Sequence, residues 1–192
     1  MNEDFTKLPD DLLRPENDGT CDHLLGETIP NILLPSTNGD SLDVCTIGTE
    51  FVIMYFFPMM AVSEKSLPAG WNNIPGARGC TPQNMAISEH RDDLLKYDAT
   101  PIGISTQTIE ELSKLSSMRG FSQAILSDDS LRFQEKLGIP TFQVENKTRY
   151  KRLTLILQES KIIKVFYPVF PPDKHIFEIL EWLKNNSDKY RY

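Results

Sequence analysis

The sequence predicts one α/β domain, and three features carry the prediction. Two short apolar runs, "FVIMYFF" (Phe51–Phe57) and "TPIGIS" (Thr100–Ser105), read as strands buried on both faces of a sheet. Segments of helical composition lie between and after them. A pair of apolar strands joined by a Glu-Ser turn, and then an amphipathic helix, close the chain. Alternating β and α elements that end in a hairpin and a helix make a sheet with helices packed on it.

The elements follow in order. After "FVIMYFF" a loop containing Pro68, Gly70, Pro75, Gly76 and Gly79 runs to Cys80. Pro82 reads as a first helical residue, and "QNMAISEHRDDLLKY" as a helix with Met85, Ile87, Leu94 and Leu95 turned inward. "IEELSKLSSM" reads as a helix, "AILS" as a short strand, and "SLRFQEKLG" as a short helix closed by Gly138. "RLTLILQ" (Arg152–Gln158) and "KIIKVFY" (Lys161–Tyr167) form the hairpin. The last helix begins near Asp173 and puts Ile176, Ile179, Leu180 and Leu183 on one face. Residues 1–23 read as a polar N-terminal segment and residues 24–192 as the domain.

Composition narrows the function. The 192 residues carry a formal charge of −7 that is spread along the chain, without the basic run that a nucleic acid or an anionic lipid surface requires. The start, "MNEDFTKLPDDLLRPENDG", is acidic and polar where a secretory signal is basic and then apolar, so the expected location is cytoplasmic. The longest apolar run, Phe51–Val62, is too short to cross a membrane and contains a proline. Cys21, Cys45 and Cys80 are odd in number and far apart, which suits reduced thiols rather than a disulfide framework.

Chemistry centres on Cys80, at the junction of the Gly/Pro-rich loop and a helix start. The thiolate is the reactive form, and an ordinary thiol is mostly protonated near neutral pH. A helix N-terminus contributes about 0.3 to 1 kcal/mol, at best about 2. Full activation takes roughly 3 to 4 kcal/mol, so a cation is needed as well. Arg78, Arg91 and Arg152 are the sequence's nominees. Arg152 leads, because a buried strand that begins "KRLTLIL" can aim one guanidinium inward; the other reading is a surface arginine paired with an acid.

These residues carry a resemblance. The order "YFFP" (Tyr55–Pro58), a Gly-rich loop, "GCTPQ" (Gly79–Gln83), "GIST" (Gly103–Thr106), "ILSD" (Ile125–Asp128), "RLTLIL" and "KVFYPVF" resembles a peroxiredoxin, of the type similar to bacterioferritin-comigratory protein. It spans most of residues 24–185. The resemblance implies a thioredoxin-like fold, a central mixed β-sheet flanked by helices, and a thiol peroxidase. Cys80 would attack a peroxide oxygen and become a sulfenic acid, Arg152 would hold the thiolate and the departing oxygen, and Gly79, Thr81 and Gln83 would shape the loop and helix start. The implied partners are a peroxide substrate and a thiol reductant, either a thioredoxin-like protein or glutathione. A homodimer is an arrangement the resemblance allows, and no metal or organic cofactor is implied.

The chain also departs from that pattern. Where the family has a proline seven residues before the cysteine and a threonine three before it, this chain has Asn73 and Ala77. Pro58 is the nominee for the proline, with "MMAVSEKSLPAGWNNIPGA" inserted after it, and Thr81 or Ser66 for the missing hydroxyl. A resolving cysteine five residues after the first is replaced by Met85, so regeneration falls to Cys21, Cys45, another chain or an external thiol. Cys21, in a segment expected to be mobile, is the resolving candidate; its other reading is a free thiol of no consequence. Cys45 reads as an ordinary packed residue.

Other constellations are weaker. Cys21 and His23 lack the further ligands of a zinc site, no CxxC is present, and His90 lies about 15 Å along the cysteine's helix. A Cys-His-Asp hydrolase using His23 or His175 lacks an obvious acidic partner. The run "VFYPVFPPD" (Val165–Asp173) reads first as a packed strand-to-helix turn; its other reading, with Trp71, is the wall of an apolar pocket over Cys80 that would favour an organic hydroperoxide. The competing function is a redox-responsive binding or regulatory protein that kept the fold and the thiol but turns over little.

Overall fold

A computed structural model describes residues 6–8, 11–61 and 67–190. Its centre is a five-stranded mixed sheet. The strands are β3 (Phe51–Phe56), β4 (Ala99–Ser105), β5 (Ala124–Ser127), β8 (Leu153–Gln158) and β9 (Lys161–Phe166), in the order β5-β4-β3-β8-β9. β3, β4 and β5 run parallel; β8 and β9 are antiparallel to their neighbours. β3 is buried at all six positions because it is central and covered on both faces, which is why it reads as an unbroken apolar run.

Successive residues of β3 point to opposite sides and so divide the core in two. Phe51, Ile53 and Tyr55 face a layer built by α1 (Cys80–Glu89), α3 (Ile109–Arg119) and α5 (His175–Tyr190), through Ile87, Leu112, Leu115, Ile176, Ile179 and Leu183. Val52, Met54 and Phe56 face the other layer, which includes Cys21, Leu24, Ile32 and Leu34, together with Phe133 and Leu137 of α4 (Arg132–Leu137). The second layer explains why the N-terminal segment is not a detached tail. It brings Cys21 into the core at 3% exposure, the Asp18 carboxylate pairs with Lys151, and the Gly76 N–H donates to Leu13 O. The expected mobility of Cys21 is therefore corrected.

Several elements differ from the sequence expectation. β1 (Leu33–Pro35) with β2 (Ser41–Asp43), and β6 (Thr141–Val144) with β7 (Lys147–Tyr150), are antiparallel pairs too short or too polar to read as strands. The helix expected through Tyr97 breaks at His90, whose backbone leaves the helical region, and resumes as α2 (Arg91–Leu95). Leu95, expected inside, is 46% exposed for that reason. Pro82 is the third residue of α1 rather than the first, still within the turn where no intrahelical N–H bond is forfeited.

Candidate active site

Cys80 opens α1 just beyond the carboxyl end of β3, and Arg152 immediately precedes β8, whose Leu153 pairs with Phe56 at that same end. The sheet thus brings together residues 72 apart in sequence. Gly79 makes the turn into the helix at φ 96°, a conformation that favours glycine. A Cβ there would also lie 2.4 Å from Pro172 Cγ and 2.7 Å from Leu8 Cδ2, so both space and backbone require the glycine of "GCTPQ".

Cys80 is 2% exposed, and donors surround its sulfur. Arg152 Nη2 lies 3.1 Å from Cys80 Sγ, and the Met59 N–H donates to it at 3.4 Å. As a thiol, Cys80 can donate to Ala77 O at 3.6 Å. Arg152 is itself buried, and Nη2 also reaches the carbonyls of Gly76, Ala77 and Arg78 at 3.3, 3.4 and 3.0 Å. Its Nη1 donates to Gln83 Oε1. One guanidinium therefore holds the sulfur, the covering loop and the first turn of α1 together. Of the nominated cations, Arg152 is at the sulfur, while Arg78 donates to Asn72 Oδ1.

A second buried arginine escaped the sequence reading. Arg149, on β7, is 4% exposed, donates to Thr106 Oγ1 at 3.1 Å and reaches Met59 Sδ at 3.7 Å. Burial works against its charge, and the Glu111 carboxylate and the Cys80 sulfur offset part of that cost. It went unseen because "ENKTRYK" reads as a solvated polar loop; the weak T-R-Y alternation was the one available sign of a strand. Gln107 completes the loop's support, accepting from the Met60 N–H at 2.8 Å and donating to Met60 O at 3.1 Å.

Below the helix start, the Tyr55 hydroxyl donates to Asn84 Oδ1 at 2.7 Å, and Asn84 Nδ2 donates to Cys80 O at 2.9 Å. Three buried donors around the site, Arg152 Nε, Arg149 Nε and Gln83 Nε2, have no acceptor among the described residues. A cavity of about 20 Å³ adjoins Cys80, with Met59, Trp71, Ala77 and Thr81 in its wall. Thr81 is thus placed beside the sulfur; Ser66 lies outside the described residues. Trp71 takes its expected place, but the 165–173 segment does not line this cavity. Its Tyr167 and Pro168 line a separate one at Arg152.

Neither other cysteine is near. Cys21 belongs to the core layer on the opposite face of the sheet, and Cys45 packs against that layer, its Sγ donating to Ile29 O at 3.6 Å. A disulfide needs Cα atoms within about 7 Å, and here the sheet itself separates the thiols. Cys21 as resolving partner of Cys80 within this folded chain is therefore corrected. Burial, helped by the Asp18 charge, pushes the Cys21 thiol up to about 12, and burial also raises that of Cys45. Among the described residues no group of three or more His, Cys, Asp or Glu side chains could hold a metal, and no helix is long and apolar enough to cross a membrane.

Comparison with known proteins finds peroxiredoxins. The chain is 22% identical to the peroxiredoxin Bcp of Escherichia coli K12 over 165 residues, which is 84% of this chain and 96% of that protein. The likeness is to Bcp-type peroxiredoxins. No family model matches the chain. Among solved structures, the peroxidoxin BcpB of Mycobacterium tuberculosis superposes with a TM-score of 0.68 at 21% identity, covering 84% of this chain and 97% of that one. The bacterioferritin comigratory protein of Xanthomonas campestris, solved to explain its alkyl peroxide reduction, superposes at 0.63 with 16% identity and covers 92% and 99%. The fold is thioredoxin-like, the mixed sheet flanked by helices of the peroxiredoxin neighbours.

Proposed function

We propose that this chain is a thiol peroxidase that reduces hydroperoxides through Cys80. The observation that carries the reading is the buried Arg152 guanidinium 3.1 Å from Cys80 Sγ, with the Met59 N–H joining it. The Cys80 thiolate attacks one peroxide oxygen as the O–O bond breaks. The other oxygen leaves as hydroxide or alkoxide, takes up a proton to become water or alcohol, and leaves a sulfenic acid on Cys80. Arg152 stabilises the thiolate beforehand and the departing negative oxygen during the step, as fixed donors aimed at developing charge do.

Regeneration uses an external thiol, because Cys21 and Cys45 lie across the sheet. One thiol condenses with the sulfenic acid to a mixed disulfide and water; a second releases Cys80 and leaves the reductant oxidised. A thioredoxin-like protein or glutathione fits this scheme.

Consumption of hydrogen peroxide and cumene hydroperoxide with dithiothreitol tests the proposal. Cys80→Ser is expected to abolish turnover, and the double variant Cys21→Ser/Cys45→Ser to keep it; turnover that survives loss of Cys80 would sink the reading. Oxidation of Cys80 once per chain without turnover would favour the redox-responsive binding protein, the reading on whose side stand Ala77 and the burial of Cys80.

A further inference from the structure

Arg149 of β7 stands directly opposite Phe142 of β6, and residues so paired in an antiparallel ladder share a face. That face meets the loop around Cys80. The Phe142 ring lies 5.9 Å from that of Trp71, and Arg149 Nη2 reaches Met59 Sδ at 3.7 Å. Trp71 and Met59 both wall the cavity beside the sulfur, and the Met59 N–H is a donor to Cys80 Sγ at 3.4 Å. The hairpin thus delivers a guanidinium behind the residue that touches the nucleophile.

That placement is costly to the fold. A guanidinium stays charged, yet Arg149 is buried and its acceptors are only the Thr106 hydroxyl and the Met59 thioether. Among the described residues its Nε–H has no acceptor and its charge forms no ion pair. An unpaired buried charge and an unsatisfied buried donor both lower stability. Hydrogen bonding does not account for the residue either, since the Thr106 hydroxyl already donates to Thr148 O at 2.9 Å. The negative groups that offset the burial of Arg149 are the Glu111 carboxylate and the Cys80 sulfur. Such coupling is mutual: a thiolate that favours the guanidinium is favoured by it to the same extent.

We propose that Arg149 is a second cation of the Cys80 site, a positioning residue that stabilises the thiolate from behind Met59 while Arg152 holds the sulfur by contact. The other charged side chains at the sulfur's cavity are Lys7 and Arg78. Arg149 acts through its charge, so a lysine replaces it in part, whereas Arg152 needs its planar, many-armed group. The effect on rate rests on the thiol peroxidase reading; the effect on the thiolate does not.

Three whole-chain variants test the assignment. Arg149→Met removes the charge and keeps an unbranched apolar stem, Arg149→Gln removes the charge and stays polar, and Arg149→Lys keeps a charge. The thiolate is read through a pH titration as the ultraviolet absorbance difference between each chain and its own Cys80→Ser counterpart. Oxidation by hydrogen peroxide is followed in stopped flow, and urea unfolding reports stability.

Arg149→Met is expected to lower the thiolate-to-thiol ratio of Cys80 about tenfold at each pH of the titration and to slow oxidation at neutral pH by about three- to tenfold. Its urea midpoint is expected to hold or rise, because an unpaired buried charge has been replaced by an apolar chain. Arg149→Gln carries the same expectation for ratio and rate, so the test does not hang on one variant folding. Arg149→Lys is expected to bring the ratio back to within about threefold of the parent.

An arginine that served the fold alone would give the reverse, a lower urea midpoint with an unchanged ratio, and that result overturns the assignment. A ratio that falls as far in folded Arg149→Lys as in Arg149→Met overturns it too, since charge would then not be what acts. A parent chain no faster than free cysteine, with a ratio that still falls in Arg149→Met, would instead defeat the peroxidase reading and leave the hold of Arg149 on the thiolate standing.

Discussion

Arg152 serves the sulfur and the loop above it with one planar group, and a lysine could not replace it. An ammonium is a compact point charge that cannot reach Cys80 Sγ, Gln83 and three carbonyls at once. Arg152→Lys is expected to slow Cys80 oxidation about 10- to 100-fold while keeping the fold, measured as the second-order rate with hydrogen peroxide; an unchanged rate would remove Arg152 from the mechanism. Cys21 is the opposite case, a thiol made inert. With its pKa pushed up to about 12 by burial, its alkylation by iodoacetamide at pH 8 is expected to be at least about 100-fold slower in the folded than in the unfolded chain, read by mass spectrometry. Arg152 was half legible: an arginine at the head of an apolar strand could aim inward or pair with an acid at the surface, and the resemblance to a peroxiredoxin favoured the first. Cys21 was not, since its polar neighbours in "GTCDHLLG" conceal that the segment packs on the sheet.

At the scale of elements, β3 and β4 set the height of the helix that carries Cys80. Gly103 of β4 pairs with Tyr55 of β3, and a Cβ on Gly103 would lie 2.7 Å from the Tyr55 hydroxyl. The absent side chain lets the tyrosine reach Asn84, which in turn holds Cys80 O. Gly103→Ala is expected to lower stability by about 1 to 3 kcal/mol, because the ring is locked in a close-packed layer, and to lower the oxidation rate with it. Urea unfolding measures the first effect, and a neutral result would show that Tyr55 can shift freely. Continuous apolar runs made β3 and β4 readable, and apolar patterning did the same for the β8–β9 hairpin and α5. The β6–β7 hairpin was hidden because its exposed face is polar and each strand is four residues long. With it went Arg149, whose burial depends on pairing that a polar sequence does not announce.

Across the whole molecule, the sheet is a partition. It keeps Cys80 on one face and Cys21 and Cys45 with the other, so oxidation of the folded chain is expected to yield no Cys80–Cys21 bridge in non-reducing mass spectrometry. The buried His175 ties the C-terminal helix to the same assembly through hydrogen bonds with Thr154 Oγ1 at 3.0 Å and Glu178 Oε2 at 2.8 Å. Burial holds its pKa below the ordinary histidine value of about 6.5; the nearby Arg152 charge works in the same direction, and Glu178 opposes both. The unfolded chain therefore binds the proton first as pH falls below about 6.5, and stability drops with decreasing pH, by at most about 1.4 kcal/mol per unit for this one group. Urea midpoints at pH 7.5 and 5.5 should show that loss in the parent chain and a smaller one in His175→Gln.

The proposed peroxidase requires that Cys80 be activated toward peroxide. Its most direct test is the stopped-flow rate of sulfenic acid formation on the reduced chain with hydrogen peroxide, compared with free cysteine at the same pH, with mass spectrometry assigning the modified residue. The geometry predicts stoichiometric oxidation at Cys80 alone, at least about a thousandfold faster than free cysteine. A rate equal to that of the free thiol, or oxidation spread over all three cysteines, would contradict it.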